Sequence, residues 1–157
     1  MSIKSVPAAK AEMLIRKPVA DVFEAFVDPD ITSQFWFTKG SARLEPGHQV
    51  TWDWDMYGLS IPVRVKAVEP NERILIEWPG QEAPTTVEWV FTPRTDNTTF
   101  VSITNTGFSG HAGEIVEQAI ASTEGFSYVL AGLKALLEHG VTLCLVADRH
   151  PDGVNNH

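Results

Sequence analysis

Residues 112–139, AGEIVEQAIASTEGFSYVLAGLKALLEH, form the longest stretch with a single period in this chain of 157 residues. Apolar residues recur there at spacings of three and four, which is typical of a helix with one buried face. Gly140 follows, and glycine commonly ends a helix. The stretch therefore predicts one long helix. Its apolar stripe contains Ile115, Ala119, Phe126, Leu130, Leu133 and Leu137, and its opposite side largely contains Glu117, Glu124, Lys134 and Glu138.

Two glycines, Gly125 and Gly132, lie inside the predicted helix. Each costs about 1 kcal/mol of helix stability relative to alanine. A glycine in such a place either lets the helix approach its neighbour closely or leaves space beside it. Both readings stay open at the level of sequence.

Upstream of the helix the apolar period changes from helical to two. In the segment HQVTWDWD (48–55), Val50, Trp52 and Trp54 alternate with polar residues, which is typical of a half-buried strand. Short turn sequences separate the segments, which favours an antiparallel meander. The expected strands are Glu12–Arg16, Ser41–Glu45, His48–Asp55, Ile61–Lys66, Arg73–Trp78, Val87–Thr92 and Val101–Thr106.

Two short helices are expected between the first and second strands. Val19, Val22, Phe23 and Phe26 form one apolar face, and Asp28-Pro29-Asp30 ends that helix, because a residue before proline avoids the α region. A second helix is predicted over Ile31–Phe37.

The order of these elements predicts an α+β domain. A curved antiparallel sheet of six to seven strands needs one face covered, and the long C-terminal helix is the only element large enough to cover it. A curved sheet around a helix leaves space for an internal cavity. We expect residues 1–9 to be a loose N-terminus, residues 10–140 to form the domain, and residues 141–157 to be a C-terminal extension.

Charge and composition exclude several classes of protein. Twelve basic and twenty acidic residues give a net charge of −8, which argues against nucleic acid and against an anionic membrane surface as partners. One cysteine allows neither an internal disulfide nor a cysteine-based metal cluster. No signal peptide and no transmembrane segment is indicated, so a cytoplasmic location is expected. No cofactor is indicated.

A search for a catalytic or metal-binding constellation finds none that is strong. Asp53, Asp55 and Glu88 fall opposite the inward tryptophans and are expected to face water, unless a β-bulge reverses the register. The five histidines, His48, His111, His139, His150 and His157, have no metal-binding spacing and are expected at the surface. Cys144 is expected to be a small buried apolar residue.

The inward positions are more informative than the charges. Five tryptophans and eight phenylalanines are present against two tyrosines, and such rings either fill a core or line a cavity. An apolar pocket with a few polar groups is the usual small-molecule site. The glycine-rich loop 107–113 is either a mobile loop or a lid on such a cavity. The expected ligand-binding residues are Trp36, Trp52, Trp54, Trp78, Trp89, Asn105, Phe108 and Phe126.

Several short motifs follow one another along residues 10–140. They are Ile15-x-x-Pro18-x-x-x-Val22-Phe23-x-Ala25-Phe26-x-Asp28-Pro29, Phe35-Trp36, Glu69-Pro70-Asn71-Glu72-Arg73, Trp78, Asn105-Thr106-Gly107-Phe108, Gly125-Phe126, Leu130, Leu133-Lys134, Leu136-Leu137-Glu138 and Gly140. In this order they resemble the START-like (SRPBCC, helix-grip) superfamily, which includes the major birch-pollen allergen. Within it the chain is most similar to homologues of the activator of heat-shock-protein-90 ATPase. Asn105 and Phe126 stand where many relatives have His and Trp.

The resemblance implies a cavity for a hydrophobic ligand. The leading hypothesis is a non-enzymatic protein that binds a small apolar or aromatic molecule. The alternatives are an enzyme of the cyclase or hydratase type that uses the cavity, and an accessory module of a chaperone. The eukaryotic co-chaperone of the family has a further N-terminal domain, for which this chain has no room.

The extension at residues 141–157 has its own apolar run, Val141–Val146. This run either forms an additional strand, pairs with a second copy of the chain as a homodimer, or packs against its own domain. The alternatives are left open.

Overall fold

The computed structural model describes residues 7–152. These residues form a seven-stranded sheet with two short helices, one long helix and a short C-terminal helix. The strands are β1 (Ala9–Ile15), β2 (Lys39–Gly40), β3 (Gln49–Trp54), β4 (Leu59–Glu69), β5 (Arg73–Trp78), β6 (Thr85–Pro93) and β7 (Thr99–Thr106), and the helices are α1 (Val19–Val27), α2 (Pro29–Thr32), α3 (Ala112–His139) and α4 (Leu145–Arg149).

The sheet is antiparallel throughout and has the strand order β1-β7-β6-β5-β4-β3-β2. The α+β helix-grip prediction is confirmed, with α3 packed against β1 and covering the concave face of the curved sheet. The prediction of a strand at Ser41–Glu45 is wrong. The short strand β2 precedes that segment and pairs only with Asp53 and Trp52, so most of residues 41–48 connect β2 to β3 without joining the ladder.

Alternation along the strands decides which side chains enter the core. In β6, Val87 and Trp89 are buried and point toward the helices, and in β7 Val101 and Ile103 do the same. Because side chains alternate between the two faces of a strand, the polar residues between them face outward. The predicted inward phase is therefore correct for these strands.

The two short helices contact different strands, α1 lying against β6 and α2 against β2. In α1, Val22, Phe23 and Phe26 are buried, and Phe23 packs edge-on against Phe91 of β6 with ring centroids 5.2 Å apart. The second helix is shorter and earlier than expected. It ends at Thr32, so the aromatic run 35–37 follows the helix in a turn and is buried.

The long helix begins and ends as the sequence predicts. His111 caps it, since its Nδ1 accepts from the Glu114 backbone N–H and the Glu114 carboxylate accepts from the His111 backbone N–H. Gly140 ends it with φ of +66°, a conformation that glycine adopts without strain.

The expectation that Lys134 and Glu138 lie on the water side of α3 is wrong. The Glu138 side chain is only 8% exposed, because the last turns of α3 lie against the end of β1. Its Oε2 accepts from the Arg16 backbone N–H at 2.7 Å and from Lys134 Nζ at 2.8 Å. Lys134 Nζ also donates to the Leu14 carbonyl at 2.8 Å. The pair therefore fastens the end of α3 to the end of β1.

Two opposing effects act on the pKa of Glu138. Burial raises the pKa, while the hydrogen bonds from Lys134 and from the Arg16 backbone lower it further than burial raises it. The net pKa lies below its ordinary value. The carboxylate is therefore charged when it holds α3 in place.

Both ends of the chain extend beyond the described residues. Residues 1–6 of the expected loose N-terminus lie outside them, and β1 already begins at Ala9. Residues 153–157 of the extension, with His157, also lie outside. No helix within residues 7–152 has the length and apolarity needed to cross a membrane.

We predict that Glu138→Gln destabilises the protein at neutral pH by about 1–2 kcal/mol, because a neutral amide replaces a charged acceptor. The folded-state pKa is the lower one, so the stabilisation is complete above the ordinary pKa of 4.5 and is lost as the pH falls below it. Urea unfolding followed by circular dichroism should therefore show a difference between variant and wild type at neutral pH that shrinks in acid.

The matched control is Glu117→Gln, which removes an exposed carboxylate from the same helix. It should unfold like the wild type at every pH. Equal stability of Glu138→Gln and wild type at neutral pH would contradict the anchoring role of Glu138.

Candidate functional site

A pocket of about 690 Å³ lies between α3 and one end of the sheet. Trp54 ends β3, Trp78 ends β5 and Asn105 is the second-last residue of β7, while Thr85 begins β6. Because neighbouring strands run in opposite directions, these alternating ends meet at the same edge of the sheet. The wall contains Trp36, Trp54, Tyr57, Leu59, Ile61, Trp78, Pro79, Gly80, Thr85, Asn105, Phe108, Gln118, Ala121, Ser122, Glu124, Gly125, Phe126, Tyr128, Val129, Val146, Arg149 and His150.

The two glycines of α3 have different surroundings. A Cβ added at Gly132 would lie 3.3 Å from both the Cβ and the carbonyl oxygen of Phe35, so the helix makes a close approach there. A Cβ added at Gly125 would meet nothing within 4 Å, and Gly125 lines the pocket. The sequence left two interpretations open for these glycines. The close approach is found at Gly132, and the free space is found at Gly125.

The structure divides the expected aromatic site residues into two groups. Trp36, Trp54, Trp78, Phe108 and Phe126 line the pocket. Trp52 and Trp89 do not. Both are 1% exposed and lie deeper in the core.

Trp36 joins the two groups. Its ring centroid lies 4.9 Å from that of Trp52 and 6.1 Å from that of Trp89, both in the core. It also lies 6.1 Å from Trp78 and 5.7 Å from Phe126, both in the pocket wall. One face of the pocket is therefore backed by packed rings.

The indole N–H of Trp89 is an exception to the usual pairing of buried polar groups. It is buried and has no acceptor among residues 7–152. The Trp89 ring packs against the rings of Phe26, Trp36 and Phe126, with ring centroids 5.8–6.2 Å apart.

Asn105 is buried, 3% exposed, and lines the pocket as expected. Its Nδ2 donates to Thr85 Oγ1 at 3.2 Å and to the Thr86 carbonyl at 2.9 Å, and its Oδ1 accepts from Ser122 Oγ at 2.9 Å. The amide thus links β7 to β6 and to α3. We call Thr85, Asn105 and Ser122 the polar cluster.

Sequence reasoning missed the other two members of the polar cluster, although signals for both were present. Thr85 lies on the inward phase of β6, two residues before Val87. Ser122 lies one helical turn before Phe126 on the same face of α3. Applying the strand and helix periods to polar residues as well as apolar ones finds both.

The C-terminal extension closes the other side of the pocket. Of the three alternatives left open for Val141–Val146, the additional strand is not formed, because residues 141–144 are irregular and α4 begins at Leu145. Val146 and Arg149 of α4, together with His150, belong to the pocket wall. The extension therefore packs against its own domain.

Two contacts hold α4 in place. The Tyr57 hydroxyl donates to the Val146 carbonyl, and Arg149 Nε donates to Glu124 Oε1 of α3 at 3.1 Å. Burial raises the pKa of Tyr57, and the nearby Arg149 charge partly opposes this. The hydrogen bond to Glu124 raises the pKa of Arg149. Tyrosine stays a neutral donor and arginine stays a cation at neutral pH.

Cys144 is exposed, so the prediction of a buried cysteine is wrong. It precedes α4 with φ of +57°, where the chain turns back toward the domain. The turn places Cys144 outside the core and Val146 against it.

The carboxylates on the strands face outward, as predicted. Asp53 accepts from Ser60 Oγ at 2.6 Å, and Glu88 pairs with Arg73 on the outer face. Among the described strands the register shifts only between Val65 and Ala67. No bulge therefore turns Asp53 or Glu88 toward the pocket.

The histidines are spread over the surface, with one exception. His48, His111 and His139 are exposed. His150 is half-buried and packs edge-on against Tyr57 at the pocket wall, with ring centroids 5.9 Å apart. Within residues 7–152, no group of three or more His, Cys, Asp or Glu side chains could hold a metal ion.

Comparison with known proteins places the chain among relatives. The sequence model described as Activator of Hsp90 ATPase homolog 1-like protein matches residues 16–138. No curated protein matches the sequence. The matched range ends before α4, so the helix that completes the pocket wall lies outside it.

Three of the solved structures that share this fold are described next. Protein SSP2350 from Staphylococcus saprophyticus is 32% identical, with a TM-score of 0.73 over 87% of this chain and 95% of that one. The Aha1 dimer from Colwellia psychrerythraea is 17% identical, with a TM-score of 0.72 over 85% and 97%. CalU16 from Micromonospora echinospora is 15% identical, with a TM-score of 0.66 over 88% and 80%. The last two show the fold alone.

We predict opposite outcomes when alanine replaces the two glycines of α3. Gly125→Ala should stabilise the protein by up to about 1 kcal/mol, because alanine is the better helix former and its methyl group enters open space. Gly132→Ala should be less stable than Gly125→Ala by roughly 1–2 kcal/mol, because its methyl group presses on Phe35. Thermal unfolding of the two variants side by side measures this. Equal melting temperatures would contradict the close approach of α3 to Phe35 at Gly132 and the open space at Gly125.

Proposed function

The chain belongs to the family of Activator of Hsp90 ATPase homolog 1-like proteins within the START-like superfamily, and we propose that it binds a small, largely apolar molecule in the pocket beneath α3. The observation that carries this proposal is the pocket itself. Its volume of about 690 Å³ lies within the range of about 300–1,000 Å³ usual for small-molecule sites. Its wall combines many aromatic and aliphatic side chains with a few polar groups.

The space beside Gly125 supports binding rather than simple packing. Interiors are normally filled to the density of organic crystals, and the rings of Trp52 and Trp89 behind Trp36 are each only 1% exposed. At Gly125 the helix leaves room that a single methyl group would have begun to fill. A ligand would cover the apolar wall that is otherwise left beside water.

The distribution of titratable groups favours binding over an enzyme of the cyclase or hydratase type. Such an enzyme needs an acid or base that reaches its substrate. Among the described residues of the wall, the charged side chains (Asp, Glu, Lys or Arg) are those of Glu124 and Arg149. These two pair with each other at the exposed side near α4. Tyr57, Tyr128 and His150 lie on the same side. The inner part of the wall carries only neutral groups.

We predict that N-phenyl-1-naphthylamine, an uncharged dye that fluoresces in apolar surroundings, binds the wild type and binds Gly125→Phe at least about tenfold more weakly. The phenyl ring would occupy the space beside Gly125. Fluorescence titration of the folded proteins, checked by circular dichroism, measures the two affinities.

The matched control is Ser127→Phe, which places the same ring on the exposed side of α3. It should bind the dye like the wild type. No enhancement with the wild type, or equal enhancement with wild type and Gly125→Phe, would overturn the proposal.

We further propose that a second copy of the chain pairs through the start of the C-terminal extension. Val141 and Leu143 are 46% and 45% exposed, and apolar side chains so close together at a surface are typical of an interface. The similar Aha1 from Colwellia psychrerythraea was solved as a dimer, which supports a homodimer here.

We expect the wild type to elute as a dimer in size-exclusion chromatography with light scattering, and the double variant Val141→Ser, Leu143→Ser to shift toward the monomer. Val116→Ser, Ile120→Ser is the control, since it removes two exposed apolar residues from α3 instead. A monomeric wild type would refute this interface, and so would a double variant that remains a dimer.

A further inference from the structure

The polar cluster has hydrogen-bonding groups that its internal contacts do not use and that a ligand could use. Both N–H groups of the Asn105 amide are used, one by Thr85 and one by the Thr86 carbonyl. Ser122 donates its hydroxyl hydrogen to Asn105. Asn105 is thereby fixed in one orientation, and it fixes the two hydroxyl groups beside it.

Each of the two hydroxyl groups keeps hydrogen-bonding capacity free. A hydroxyl group can donate once and accept twice. Thr85 Oγ1 accepts from Asn105, and its own O–H donates to no acceptor among residues 7–152, although Thr85 is only 3% exposed. Ser122 Oγ donates to Asn105 and keeps both of its lone pairs. The cluster therefore presents one free donor, on Thr85, and free acceptor lone pairs, two of them on Ser122.

A buried donor without an acceptor is uncommon in folded proteins, because leaving it unpaired costs free energy. Thr85 lines the pocket. An oxygen atom of a ligand is the partner that this O–H lacks.

The wall near the cluster favours an uncharged ligand. Glu124 and Arg149 neutralise each other at 3.1 Å and lie on the α4 side. An ion seated at the cluster would lose its hydration without gaining a counter-charge. Gln118, which also lines the pocket on this side, is neutral and donates to the Ser109 and Glu114 carbonyls.

The remaining wall suits a flat ring. Trp78 and Phe126 lie nearly parallel, with an interplanar angle of 21° and centroids 5.9 Å apart, and Trp36 meets both at 66°. Aromatic pairs prefer such offset and edge-to-face arrangements. A planar aromatic ligand finds ring edges and faces here.

We infer that the pocket selects uncharged aromatic molecules that carry a hydroxyl group, with the ring against Trp78 and Phe126 and the hydroxyl at the polar cluster. The ligand oxygen accepts from Thr85 and its hydrogen is donated to Ser122. An ether or ketone can only accept, so it satisfies Thr85 alone. This inference rests on the proposed function and adds the ligand class to it.

The test compares four naphthalenes by isothermal titration calorimetry at neutral pH: naphthalene, 2-methoxynaphthalene, 2-naphthol and 2-naphthoate. Wild-type protein should bind 2-naphthol about tenfold more tightly than naphthalene, with the methyl ether in between and the anionic 2-naphthoate weakest.

Two variants locate the selectivity. Thr85→Val removes the free donor at nearly constant shape, and Ser122→Ala removes the lone pairs that Ser122 offers to the ligand. Each should reduce the preference for 2-naphthol over naphthalene by at least about threefold. Thr86→Val, an adjacent strand residue whose side chain faces outward, is the matched control and should keep the full preference.

The outcomes separate this inference from the proposed function. Equal affinity for all four compounds, tightest binding of 2-naphthoate, or an unchanged preference in both Thr85→Val and Ser122→Ala would overturn the ligand class and leave the binding function standing. If neither the naphthalenes nor N-phenyl-1-naphthylamine bind, both proposals fail. Two independent variants are used so that misfolding of one, visible by circular dichroism, leaves the other as the test.

Discussion

The distance between α3 and the structures beneath it is the constraint on which the rest of the structure depends. Gly132 sets the closest approach, since its missing side chain lets the helix touch Phe35. Glu138 holds the last turn of the helix against the end of β1. Gly125 lies seven residues before Gly132, or about 10 Å along the helix, and there the space is open. The C-terminal half of α3 is therefore held close to its neighbours, whereas the middle of the helix has open space beside it. This difference leaves a pocket at one end of the sheet.

The aromatic rings lie at two depths. Trp89 is 1% exposed and lies in the core, whereas Trp78 borders the pocket, in whose wall Gly125 also lies. Trp36 packs against both groups and couples them. A displacement of α3 would therefore reach the pocket wall and the core together. The polar cluster supplies directional hydrogen-bonding groups to this largely apolar pocket, and its Asn105 joins the sheet to the helix there.

Sequence patterns correctly predicted which face of each strand is buried, but not which buried side chains lie in the core and which line the pocket. Alternation places Trp52 and Trp54 on one face of β3, but a period of two carries no information on which of the two rings lies deeper. The buried position of Glu138 was missed because a charge on a helix reads as solvent-facing until the end of β1 is known to lie beside it. The helix α4 has only five residues, too few to show a helical period in the sequence. The turn at Cys144, which directs the chain back toward the domain, has no signal in the sequence either. Only one of the three residues of the polar cluster was predicted, because Asn105 alone was considered among the inward polar residues.

We propose that the space beneath α3 is a binding pocket and not a core that rings fill. A crystal structure of the protein grown with 2-naphthol tests this proposal. We expect density for the ligand beside Gly125, with its ring against Trp78 and Phe126 and its oxygen within hydrogen-bond distance of Thr85 Oγ1 or Ser122 Oγ. Collapse of the Trp36 and Trp78 rings into that space, with no ligand bound, would contradict it.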